Sequence, residues 1–123
     1  MIKNILLVAL GGSLGSVIRY LCQRWFALHY PQHFPYGTFA VNIVGCLLIG
    51  IFWGLTFKSF TENEHWKLFL MTGICGGFTT FSAFTLEGVA LIKEERLALF
   101  FTYVAGSVVL GLMATWAGMK FIR

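Results

Sequence analysis

Apolar residues run along this chain in four long stretches and do not alternate with polar ones. The first extends from about Asn4 to Leu28, the second from about Tyr36 to Phe57, the third from about Trp66 to Ile92 and the fourth from about Leu97 to Phe121. Each reaches the ~20 residues that a helix needs to cross a bilayer. Between them lie His29–Pro35, which holds both prolines, the polar run Lys58–Glu64 and the charged turn Lys93–Arg96. All four stretches are expected to be helices, because hydrocarbon holds no water to satisfy an open backbone and so few strands could not close a barrel. The third is interrupted: Gly76-Gly77 followed by Thr79-Thr80 is poor helix material deep in an apolar span. The pattern therefore predicts an all-α membrane protein, a single four-helix transmembrane domain over residues 1–123 whose third helix is broken near its middle.

Composition sharpens this. Of 123 residues, 58% are hydrophobic and only 11% charged, against ~25% charged in a soluble domain. Such a chain cannot cover a water-facing surface, so its surroundings are the lipid bilayer. The net charge of +4 forms no basic stripe, and no nucleic-acid partner is expected. Aromatics gather near the ends of the spans, with Trp25, Phe26, Tyr30, Phe34 and Tyr36 on one side and Trp53, Phe57, Phe60 and Trp66 on the other, as an interfacial belt requires. Gly11 and Gly15, Gly50 and Gly54, and Ala114 and Gly118 are each four apart, the spacing of close helix contacts. Cys22, Cys46 and Cys75 lie inside apolar stretches and read as small buried hydrophobes. A cleaved signal peptide is not expected, since Arg19 and Arg24 interrupt the first stretch. Lys3, Lys58, Lys67, Lys120 and Arg123 fall on one side of the membrane and Arg24, Lys93 and Arg96 on the other. That is a small bias for a rule that sets orientation by Lys/Arg asymmetry, so insertion in both orientations, and antiparallel pairing of two copies, is open.

Several polar residues stand where membranes tolerate few. Arg19 costs ~2.5–3.5 kcal/mol at a helix centre; it snorkels, lines an aqueous cavity or pairs with an acceptor, and a structural or vestibule role is favoured over substrate contact. Asn42 shares a helix face with Thr38 and Gly45, and serves either as interhelical glue or as an N–H donor to an anion. The break at Gly76–Thr80 frees carbonyls that suit a cation and N–H groups that suit an anion. Beyond it Phe81, Phe84 and Glu87 follow at i, i+3 and i+6. Phe rings carry a positive edge, so edges turned into a pore would favour an anion, whereas plain packing would use the same spacing. Tyr103, Ser107, Gly111 and Thr115 make a one-sided stripe on the fourth helix, fit to hand on a partly dehydrated ion or to bond a neighbouring helix. His29 and His33 are four apart, with Pro31 between them and no third ligand. No catalytic constellation stands out, and no enzyme is expected.

The segments GGSLGSVIRY (Gly11–Tyr20), GTFAVNIVG (Gly37–Gly45) and GGFTTFSAF (Gly76–Phe84) resemble those of the CrcB/Fluc family of fluoride channels, small four-helix membrane proteins of microbes. The resemblance covers nearly the whole chain. It implies passive fluoride export across the cell's inner membrane, against cytoplasmic fluoride toxicity, by an antiparallel dual-topology homodimer with two pores. It also implies a structural sodium ion (Na+) held by the backbone carbonyls of Gly76 and Thr79. The pore residues it implies are Asn42, Phe81 and Phe84; Ser82, Thr38, Tyr103, Ser107, Thr115 and Glu87 complete the candidate fluoride path. The strongest rival is a small multidrug-type proton-coupled exporter, whose family uses a first-helix Glu that is missing here. A packing or regulatory subunit would explain the glycines but not the Gly-Thr-Phe break.

Overall fold

The computed structural model describes residues 1–31, 33–58 and 64–121. The polar run 59–63, with Phe60 of the aromatic belt, and Arg123 of the charge balance lie outside the described residues, as do the side chains of Phe57 and Lys58. Four helical segments are long and apolar enough to cross a membrane. The first helix is Ile2–His29, the second Tyr36–Lys58 and the fourth Leu97–Phe121. The third span covers Glu64–Lys93. Its ends fall within two residues of those expected, and the fourth helix has the expected bounds.

Glycines decide which helices touch. The first helix packs on the first half of the third span, and the second helix on the fourth. A methyl group added at Gly11 would lie 2.5 Å from the Phe69 carbonyl oxygen and 2.9 Å from Gly73 Cα. At Gly15 it would strike the Ile74 carbonyl, and at Gly77 it would lie 2.5 Å from the Gly12 carbonyl oxygen. In the other pair, Gly50 lies against the Thr115 carbonyl and Gly118 against the Leu47 carbonyl. Lipid tails are as apolar as leucine, so close backbone approach of this kind is what drives helices together in a membrane. Large apolar side chains such as Leu28, Leu86 and Leu112 cover the outside. Thr38, Val41, Cys75 and Tyr103 are buried at its centre.

The third span holds two irregularities. Lys67–Cys75 is wound as a π-helix, which periodicity did not predict, and the Gly76 N–H donates to the Met71 carbonyl five residues back. Gly76–Phe78 then makes one α-turn. Thr79 and Thr80 are extended, with ψ of 158° and 122°, and the helix resumes as Phe81–Lys93. The expected break is therefore at the two threonines; the glycine pair is still helical. Thr80 caps the restarted helix, its hydroxyl accepting from the Ala83 N–H at 3.2 Å, as an N-terminal cap residue does. That helix ends with Glu95 in the left-handed region, at φ 58°. The Glu95 N–H donates to Ile92 and the Arg96 N–H to Leu91, the paired bonds of a Schellman cap.

Candidate functional site

The three sequence segments singled out above meet at the break. Gly11 and Gly15, with Gly77 opposite the Gly12 backbone, bring the first helix onto the third span, and one turn beyond Gly15 Arg19 Nε donates to the Gly77 carbonyl at 3.0 Å. Of the roles open to this arginine, the structure selects pairing with an acceptor: it takes a carbonyl at the edge of the break. Asn42 grips the break from the second helix. Its Oδ1 accepts from the Thr80 N–H at 2.7 Å, and its Nδ2 donates to the Thr80 carbonyl at 3.0 Å. One side chain thus satisfies both polar groups of one extended peptide residue, which hydrocarbon would otherwise leave stranded. Gly45, one turn on, makes room for the Thr79 methyl group.

A cavity of about 370 Å³ opens beside this clamp, lined by Asn42, Gly76, Thr79, Thr80, Phe81, Phe84 and Ser107 among others. The Ser107 hydroxyl is buried without a partner. Native proteins rarely leave a buried hydroxyl unpaired unless a ligand or water meets it. The Phe81 and Phe84 rings lie 5.7 Å apart. Phe84 also meets Tyr103 at 5.0 Å. Phe81 is 76% exposed, so its ring stands at the edge of the chain.

Glu87 belongs to a different group. Its Oε2 accepts from Thr38 Oγ1 and its Oε1 from the Tyr103 hydroxyl, each at 3.0 Å. Thr38 in turn accepts from Gln23 Nε2 at 3.0 Å. Thr38 and Tyr103 are buried. Gln23, Thr38 and Glu87 line a second cavity of about 510 Å³, which reaches Tyr30, His33 and Glu94. Tyr103 is the link, with its ring on Phe84 and its hydroxyl on Glu87. Tyr103, itself buried, therefore stands between Phe84, which lines the first cavity, and Glu87, which lines the second.

The remaining candidates separate. Thr115 donates to the Cys46 carbonyl at 3.0 Å, and Gly111 faces the Cys46 sulfur, so this half of the fourth-helix stripe serves helix contact. Ser82 is exposed, its hydroxyl 3.4 Å from that of Thr80. His29 stacks on Trp25. The Gln23 bond was missed from sequence. Its signal was a polar residue four after Arg19 and hence on the same helix face.

Gly76 and Thr79 carry carbonyls that suit a cation. In an unbroken helix the Gly76 carbonyl would accept from Thr80 N–H and the Thr79 carbonyl from Ala83 N–H. The first donor is given to Asn42 and the second to the Thr80 hydroxyl. A methyl group at Gly76 would meet nothing nearer than the Met71 carbonyl, at 3.8 Å.

The chain is similar to proteins already described. Residues 6–119 match the family "CrcB-like protein, Camphor Resistance (CrcB)". A "Fluoride-specific ion channel FluC" of Flavobacterium psychrophilum is 49% identical over 117 residues, covering 95% of this chain and 94% of the relative. One from Phocaeicola vulgatus is 48% identical over 95% of this chain and 96% of its own. One from Pseudomonas putida is 43% identical over 100% of this chain and 99% of its own.

Proposed function

The chain belongs to the CrcB-like family, and from that premise we propose that it is a fluoride-specific ion channel through which fluoride leaves the cell passively across the inner membrane. One observation carries the reading: two of the segments that resemble the family's, those around Asn42 and Gly76–Phe84, line with Ser107 a largely apolar cavity that holds an unpartnered hydroxyl. Fluoride is small and strongly hydrated, so a path for it must replace water with donors weak enough to let it leave. Ser107, the second N–H of Asn42 and the edges of Phe81 and Phe84 are donors of this kind. Tyr103 and Thr38 lie beyond Phe84, their hydroxyl protons given to Glu87 at the second cavity. Among the described residues, no full positive charge lines the first cavity to trap the ion.

The path is completed, in this reading, by a second copy in the opposite orientation. The support is the exposed Phe81 ring and the open face at Gly76, which lie together at the break, and the small Lys/Arg bias across the membrane. A structural sodium ion would be held by the Gly76 and Thr79 carbonyls, joined by the same pair from the partner. Bound there, it would supply a fixed positive charge at the centre of the assembly, and backbone carbonyls freed by broken helices are its usual ligands. Gly76→Ala and Gly77→Ala separate this role from packing. Gly77→Ala should fail to fold, because its methyl meets Gly12. Gly76→Ala should fold but lose dimer and flux together, and a dimeric, conducting Gly76→Ala would remove the sodium site from Gly76.

The deciding experiment is efflux from liposomes containing the purified chain, fluoride against chloride. Fluoride should leave and chloride stay. Chloride leaving as fast as fluoride, or no fluoride efflux from folded protein, would overturn the proposal.

A further inference from the structure

Gln23 stands outside the family-typical segments, yet it begins the hydrogen-bond chain that ends on Glu87. Its Nε2 lies 3.0 Å from Thr38 Oγ1, and the Thr38 hydroxyl proton is committed to Glu87 Oε2. A hydroxyl has one proton and two lone pairs. With that proton given to the carboxylate, Thr38 meets Gln23 only as an acceptor, so the amide nitrogen must be the atom that faces it. The second helix makes room for this contact. At Gly37, one residue before Thr38, a methyl group would lie 3.1 Å from Gln23 Cα and 3.4 Å from Cγ. Gly37 therefore lets the stem of Gln23 lie flat against the start of the second helix, and the amide reaches a threonine that is only 2% exposed.

From this geometry we infer that Gln23 is a positioning residue for the fluoride path: by holding the lone pair of Thr38, it keeps the Thr38 proton on Glu87. The inference rests on the channel reading above. The oxygen lone pairs of Glu87 beside an anion path oppose the ion unless donors cover them. Tyr103 covers Oε1 and Thr38 covers Oε2. Donation by Gln23 polarises the Thr38 O–H and strengthens its bond to Glu87, since linked hydrogen bonds reinforce one another. Without Gln23 the Thr38 hydroxyl is free to turn toward the Pro35 or Phe34 carbonyl, three or four residues back, as threonines do. One oxygen of Glu87 would then be bare, and the barrier to an anion higher.

The test uses the full chain in liposomes, with fluoride efflux measured over a range of internal fluoride. Gln23→Leu removes the donor at similar size. We expect its maximal rate to fall about fivefold, equivalent to ~1 kcal/mol, with unchanged assembly. Gln23→Glu keeps the shape, removes the donor and adds a charge, and should fall further. In a Thr38→Val background Gln23→Leu should cost nothing more, because the group it positions is gone. Efflux at the parent rate from either Gln23 variant overturns the inference, as does a Gln23→Leu loss of undiminished size in the Thr38→Val background. Should Gln23→Leu fail to assemble, Gln23→Glu decides alone. A parent chain that carries no fluoride overturns the channel reading and this inference together; a conducting parent with indifferent Gln23 variants overturns only the inference.

Discussion

Asn42 and Thr38 sit one turn apart on the same face of the second helix, and both reach the third span, but they hold it differently. Asn42 binds backbone: both of its bonds end on the peptide groups of Thr80. Thr38 binds side chains: it stands between Gln23 and Glu87, with Tyr103 on the far side of the carboxylate. A peptide group cannot turn to suit a passing ion, whereas a hydroxyl rotates at little cost. One helix face thus does two jobs. The Asn42 end fixes where the broken helix restarts, and the Thr38 end holds hydroxyl protons on Glu87 through bonds that a single substitution can release.

The largest effect should follow from breaking the fixed end. Asn42→Ala strands the N–H and the carbonyl of Thr80 together, at ~1–3 kcal/mol for each unsatisfied group. We expect lower thermal stability and at least a tenfold loss of fluoride efflux, ~1.4 kcal/mol if expressed as a barrier. Normal stability with lost flux would mean that Asn42 serves the ion alone and does not hold the break.

Between the two ends stand the phenylalanines. Phe81→Ile and Phe84→Ile keep apolar bulk but remove the electropositive ring edge. Each should cut efflux about tenfold, ~1.4 kcal/mol, while the protein still assembles. Folded Ile variants that carry fluoride like the parent would return both rings to packing. Leu112→Ile, on the exposed outer face of the fourth helix, is the control and should change neither property.

A smaller loss is expected at the rotatable end. Tyr103→Phe keeps the ring on Phe84 and removes one of the two donors to Glu87. One neutral hydrogen bond is worth ~1 kcal/mol, so efflux should fall about fivefold and stability little. A collapse in stability as large as that of Asn42→Ala would erase the distinction between the two ends.

Much of this arrangement was legible in the sequence, for a physical reason. Hydrocarbon forces ~20-residue apolar helices, so the four spans and their approximate ends follow from the order of apolar and polar residues along the chain. The break was legible because adjacent threonines after a glycine pair are poor helix material mid-span, although the helix yields only at Thr79 and Thr80 and Gly77 serves the contact with Gly12. The shared face of Thr38, Asn42 and Gly45 was also legible, and all three do face the third span. Partners were harder to read. That Asn42 binds a backbone, that Thr115 turns to the Cys46 carbonyl and that Arg19 takes the Gly77 carbonyl are all set by how helices cross, and no spacing within one helix encodes that. The π-winding of Lys67–Cys75 left no mark in periodicity. It coincides with the stretch where Gly11 and Gly73 draw two backbones together, a contact between distant segments. Gln23 was passed over because a single amide near the end of a span resembles ordinary interfacial polarity.

The smallest effect calibrates the rest, because it lies outside both ends of the comparison. Glu95 holds φ 58°, where a side chain crowds the following carbonyl at ~1–2 kcal/mol and where glycine is the usual occupant. Its neighbours are no reason to keep it: the ion pair of the turn joins Arg96 Nε to Glu94 Oε1 at 3.5 Å, between exposed side chains. Glu95→Gly relieves the crowding, and part of the gain is offset because glycine loses more freedom on folding. The net expectation is ~0.5 kcal/mol of added stability, about 2 °C in the unfolding midpoint, with fluoride efflux unchanged. Glu95→Val should do the reverse, since a β-branched residue tolerates positive φ poorly, again without touching flux. With stability moved in both directions and conduction constant, flux losses at Asn42, Phe81, Phe84 and Tyr103 can be assigned to the path itself. Efflux that followed stability across the Glu95 pair would instead mean that flux in this assay measures how much protein is folded, and the ordering of the larger effects would have to be rebuilt on that scale.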